Sequence, residues 1–137
     1  MPKVKVSLFF SGNNIPLNDI ASKIGISPTQ VCKKEDWPFA SVLAGIAKDT
    51  LLFSTNKKEC TAISTQIDEI QMMFTPKIEI IQNLIKSYAL SVNIIVMVET
   101  EIGEYPELIL TIENIDFLSS IHAEIGFDLY INDSVSP

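Results

Sequence analysis

The sequence predicts an α+β fold: a mixed, largely antiparallel sheet of about five strands with helices mainly on one face. Three observations predict it. Residues Lys3 to Phe10 alternate in the period of a half-buried strand. Residues 61–88 repeat their apolar side chains at helical spacing, and residues 90–132 switch between the two periods. The expected element order is β-α-β-α-α-β-β-α-β, one domain over residues 1–137. Strand, helix, strand at both ends suggests two right-handed crossovers around a central hairpin, related to the ferredoxin-like arrangement.

Along the first strand Val4, Val6, Leu8 and Phe10 point one way, and Lys3, Lys5, Ser7 and Phe9 the other. Ser11-Gly12-Asn13-Asn14 is a turn. A short helix follows from about Pro16 to Ile24, closed by Gly25 in the left-handed C′ position with Ile26 as the apolar contact beyond it. Residues 27–49 are the least regular, with a turn of helix around Ser41–Ala47, and Thr50–Thr55 reads as a strand. Ile63, Ile67, Ile70 and Phe74 mark a helix over 61–74, and Thr75 caps the next helix, which Pro76 opens. Leu90–Glu99 and Glu107–Glu113 are expected as a hairpin joined across Thr100–Pro106. Asn114 should cap a last helix that closes with Gly126, and Phe127–Asn132 the last strand, before a frayed Ser/Pro tail.

Charge is distributed unevenly. Residues 87–137 hold nine acidic side chains and no lysine or arginine, whereas the first 86 residues hold eight acids against ten lysines. A net charge of −7 argues against nucleic acid or anionic lipid as a partner. No apolar stretch is long enough to span a bilayer. The opening residues enter a strand directly with no signal peptide, so a cytoplasmic home is expected. Cys32 and Cys60 lack the spacing of a zinc site or a disulfide framework, and small buried thiols are the expected role. No carboxylate spacing forms a calcium loop, so no metal or cofactor is expected.

Three segments in order resemble a known family. They are Ser7-Leu-Phe-Phe-Ser-Gly12 running into Ile20-Ala-Ser-Lys-Ile-Gly-Ile-Ser-Pro-Thr29, then Thr75-Pro-Lys77, then Ile125-Gly-Phe-Asp-Leu-Tyr130. The order looks like bacterial domain-of-unknown-function family 4279. This chain has Leu51-Leu52-Phe53 where that family usually carries a tryptophan, and Lys34-Glu35-Asp36 where it often shows Lys-Gly-Asp. The resemblance carries over no chemistry. Some members lie in toxin–immunity neighbourhoods, which implies a binding role.

Among the residues themselves, two features invite a function. Glu99, Glu101, Glu104 and Glu107 crowd around the proposed hairpin loop, and a block of like charge wants a cation or solvent. It is either a solvated loop that blocks edge-to-edge aggregation or a landing site for a basic protein. The second feature is the far face of the sheet. Val4, Val6, Leu8, Val92, Ile94, Val96, Leu108, Leu110, Phe127 and Leu129 should meet the helices. The other side then shows Phe9, Ile95, Met97, Ile109 and Tyr130 among Lys5, Asn93 and Asp128, which resembles a protein interface unless the middle helices or residues 30–48 cover it.

The sole histidine, His122, is expected on the last helix beside Glu124 and Asp128. With no nucleophile in reach, it makes no triad, and no catalytic residue is assigned. The expectation is therefore a non-enzymatic binding protein, most plausibly an immunity protein masking a basic toxin domain. Its partner-binding residues would be Phe9, Ile95, Met97, Glu99, Glu101, Glu104, Glu107, Asp128 and Tyr130. The alternatives are a homodimeric structural or sensor domain of unknown ligand, and less plausibly an enzyme using His122 and a carboxylate.

Overall fold

The computed structural model describes residues 1–133, and the expected fraying of the tail lies outside them. Strand β1 (Lys3–Gly12) leads to α1 (Leu17–Ile24), β2 (Gln30–Cys32), the short helix α2 (Phe39–Leu43), β3 (Asp49–Ser54) and β4 (Lys58–Glu59). Then come α3 (Ile63–Phe74), α4 (Ile78–Tyr88), β5 (Ser91–Glu101), α5 (Ile112–Ser120) and β6 (Ala123–Asn132). The sheet runs β2-β3-β1-β5-β6, with β4 pairing the start of β1. All pairings are antiparallel except β5 with β6. The expected class, α+β with a mixed, largely antiparallel sheet, is the class found. Among the described residues, no helix is long and apolar enough to cross a membrane.

The connections differ from expectation at three places. First, β3 runs antiparallel to β1, so it does not end the first crossover. The chain leaves β1 through α1, reaches β2, and returns as β3 between them. At three residues, β2 is too short to show alternation.

Second, no strand forms over Glu107–Glu113, so the central hairpin is absent. Strand β5 has β1 on one side and is paired on the other by β6 from Val92↔Ala123 to Glu101↔Asn132. No place is left for residues 107–113. Glu107 instead makes a single parallel bridge to Ala62, and Ile112 already begins α5. Leu108, expected under the helices, is accordingly exposed.

Third, the last helix ends at Ser120, six residues before the expected glycine stop. His122 takes the left-handed conformation there (φ 53°), the role expected of Gly126, and donates its N–H to Ser119 O. Gly126 lies inside β6, opposite Ile95. A Cβ there would meet Ile95 Cδ1 at 3.1 Å, so close approach explains this glycine.

Two caps also move. Thr111, not Asn114, is the N-cap of α5, and Asn114 closes a capping box from the N3 position. The Thr75 hydroxyl donates back to Gln71 O and caps nothing, since a 3₁₀ turn joins α3 to α4. Gly25 ends α1 in the left-handed position as expected, donating its N–H to Ala21 O at 2.9 Å.

The core lies between one sheet face and the helices. Val4, Val6, Leu8, Val92, Ile94 and Val96 are buried there with Ile20, Ile67, Ile81 and Leu118. Phe10, Phe53 and Phe74 meet edge to face or tilted, with ring centroids 5.0–6.2 Å apart. Buried polar groups here have partners. Where β3 leaves β1 and β4 joins it, Val6 N donates to Thr55 Oγ1, Thr55 donates to Gln66 Oε1, and Gln66 Nε2 donates to Val4 O. The Asn114 amide donates to Asp68 and Gln71, each at 2.8 Å, which ties α5 to α3. Asp49 accepts from the backbone N–H groups of Ile15 and Lys34, which anchors the irregular segment 33–48 to the start of β3.

Candidate functional site

Alternation and register fix what the other face of the sheet presents. Reading across the strands, Lys3, Glu99 and Tyr130 form one row, and Lys5, Met97 and Asp128 the next. A third row holds Ser54, Ser7, Ile95 and Gly126, and a fourth Leu52, Phe9, Asn93 and Glu124. Phe9, Ile95 and Met97 are half-buried and Tyr130 is exposed. The structure thus brings together six of the expected binding residues: Phe9, Ile95, Met97, Glu99, Asp128 and Tyr130.

The others lie elsewhere. Glu101 closes β5 at the rim, and Glu104 follows in the turn beyond. Glu107 belongs to no row; its backbone pairs with Thr61 and Ile63 at the start of α3. The acidic block is also partly neutralised from within. Lys57 pairs with Glu99, holding that carboxyl below its ordinary range through a hydrogen bond and charge. The N-terminal ammonium lies 2.9 Å from Glu104, which raises the amine above its ordinary value in the same way. Among the described residues, Glu101, Glu124 and Asp128 carry no ion pair.

Phe127 and Leu129 follow the expected side of the sheet, in register with Val96 and Val98, yet both are about half exposed. The helices stop short of this edge strand. Tyr130 and Ile131 are exposed beside them, and β6 has no neighbour on its outer side among the described residues.

At the Phe9 end the open face deepens into a cavity of about 420 Å³. Its floor is Phe9, Leu52, Asn93 and Ile95, with Ser11 and Thr50 in the last row. Gln30 and Cys32 of β2 form one side, while Trp37 and Lys48 rise from the two ends of the segment that carries α2. Residues 33–48 therefore cover one end of the face and leave the Met97 and Tyr130 end open. The indole Nε1 of Trp37 is buried with no hydrogen-bond acceptor among the described residues. Such an orphan costs about 1–3 kcal/mol unless something accepts from it. The one sign of this wall in the sequence is a single tryptophan in the least regular segment, which carries no periodicity that places it over the sheet.

His122 and Glu124 line a neighbouring notch with Ser91 and Asn93. Among the described residues no hydrogen bond joins His122 to Glu124, Asp128 or Ser91. No group of three or more histidine, cysteine or acidic residues is placed to hold a metal ion among them.

Compared with known proteins, residues 2–132 match a family described as Domain of unknown function (DUF4279). No curated protein matches, and no solved structure does.

Proposed function

The chain belongs to the DUF4279 family, and on that premise we propose that it is a non-enzymatic binding protein of the immunity type, masking a basic toxin domain by occlusion. One observation carries the reading. A half-buried strip of Phe9, Ile95 and Met97, with Tyr130 beside it, lies on the sheet face away from the core helices, and its Met97 and Tyr130 end is uncovered among the described residues. Apolar anchors on a polar-rimmed face are what a partner desolvates when it binds tightly. Glu101, Glu124 and Asp128 bias the approach toward lysines and arginines, but the internal pairing of Glu99 and Glu104 leaves less negative field than the sequence suggests.

The test is co-expression with a toxin domain encoded in the neighbouring reading frames. Wild-type chain should restore growth, and Ile95→Glu/Met97→Glu should fail to while melting within a few degrees of wild type. If the wild-type chain leaves that toxin fully active, the reading fails.

A second reading, self-association, is favoured by β6. It is a ten-residue edge strand with exposed Leu129, Tyr130 and Ile131 and no lysine or proline to blunt it. Light scattering decides it: a dimer at micromolar concentration that Leu129→Lys turns into a monomer supports pairing through β6, and a monomeric wild type excludes it.

A further inference from the structure

The cavity at the covered end of the open face has a different character from the rest of that face. Its polar lining consists of donors or neutral groups, and it contains no carboxylate. The side-chain amides of Gln30 and Asn93 make no hydrogen bond within the protein among the described residues and are open to solvent, whereas the Trp37 Nε1 is buried from it. Lys48 is the only charged residue of the lining, and no ion pair holds it. Glu124, beside Asn93 in the register, lines the neighbouring notch instead, and Asp49, between Lys48 and Thr50, is buried with its carboxylate on the N–H groups of Ile15 and Lys34. Between the donors lie the side chains of Phe9 and Ile95, an apolar floor for a flat or aliphatic body. A site that combines an apolar floor with a few converging polar groups suits a small molecule, and about 420 Å³ falls at the small end of that range.

We infer that this cavity is a binding site for a small organic acid, its apolar body on Phe9 and Ile95 and its carboxylate on Lys48, the one cation of the lining. The acid would supply what the cavity lacks, a negative charge opposite Lys48 and acceptor oxygens for the amides of Gln30 and Asn93. Charge-assisted hydrogen bonds are the stronger kind, so an uncharged analogue of equal shape should bind less well. The site goes beyond the protein partner proposed above and does not depend on it.

Trp37 is the only tryptophan of the chain, so its fluorescence reports on the cavity wall directly. The experiment titrates the full chain with 4-phenylbutyrate and, separately, with 4-phenylbutanamide. The acid should change the emission saturably, with the amide about tenfold weaker. Lys48 is exposed, so Lys48→Met should fold normally and bring the acid down to the affinity of the amide. Asn93→Asp, which adds a carboxylate to the lining, should weaken the acid and spare the amide. Absence of a saturable change with the acid at about 10 mM, the weak limit of useful affinity, overturns the inference. So does equal affinity for acid and amide, or a preference for the acid that survives Lys48→Met.

Discussion

On β5, Val92, Ile94, Val96 and Val98 are buried under the helices, while Asn93, Ile95, Met97 and Glu99 stay half-buried on the opposite side. One strand with one backbone therefore presents two surfaces in different surroundings. On the covered side, apolar groups interlock and buried polar groups such as Gln66 and Asn114 have partners within the protein. On the open side, Trp37 Nε1 and the amides of Gln30 and Asn93 have none. The contrast places the packed core on one face and leaves the other open to solvent, where water meets the amides that have no internal partner.

The largest effect that sharpens this contrast compares neighbours. Ile94→Ala should cost about 2–5 kcal/mol in a denaturant titration, because it opens a cavity in a packed core. Ile95→Ala should cost only about 1 kcal/mol, since solvent already reaches that side chain. Equal losses would mean that both faces are sealed.

An intermediate effect compares two asparagines. Asn114→Ala removes a capping box and two hydrogen bonds that tie α5 to α3, and should cost about 1–2 kcal/mol. Asn93→Ala on the open face should stay within about 0.5 kcal/mol of wild type. The same denaturant titration measures both.

The smallest effect concerns the exposed rim. Glu104 raises the N-terminal amine, so their attraction is fully present below the ordinary amine value and fades as pH rises through the raised one. Lys57 lowers Glu99, so that contribution is present above the ordinary carboxylate value and fades as pH falls through the lowered one. Solvent reaches both pairs, and salt screens them. Unfolding midpoints should therefore drift slightly at each pH extreme, and Glu104→Gln should remove only the alkaline drift. A large fall near neutral pH would point to a buried titrating group instead.

Much of the covered face was legible because it obeys simple periods. Val4, Val6 and Leu8 alternate, Ile81 and Leu84 keep helical spacing, and Gly25 ends α1 by a rule of backbone conformation. The misread elements turn on competition between distant segments. Leu108-Ile109-Leu110 has strand-like composition, but β6 takes the place beside β5. Ile125-Gly126 imitates the end of α1, yet pairing from Ala123 onward draws those residues into the sheet, and His122 makes the turn. The open-face strip of Phe9, Ile95, Met97 and Tyr130 followed from alternation alone. The cavity did not, because Trp37 and Lys48 reach Phe9 through a fold of residues 33–48 that has no period to read.

Methyl-resolved magnetic resonance of the chain titrated with the basic toxin domain proposed as its partner tests most directly which face works. Isoleucine and methionine methyl signals distinguish the two sides of β5 one residue at a time. Shifts or broadening at Ile95 and Met97, with Ile94 and Ile67 unchanged, are expected. Unchanged Ile95 and Met97 signals in a saturated complex would contradict the open face as the binding surface.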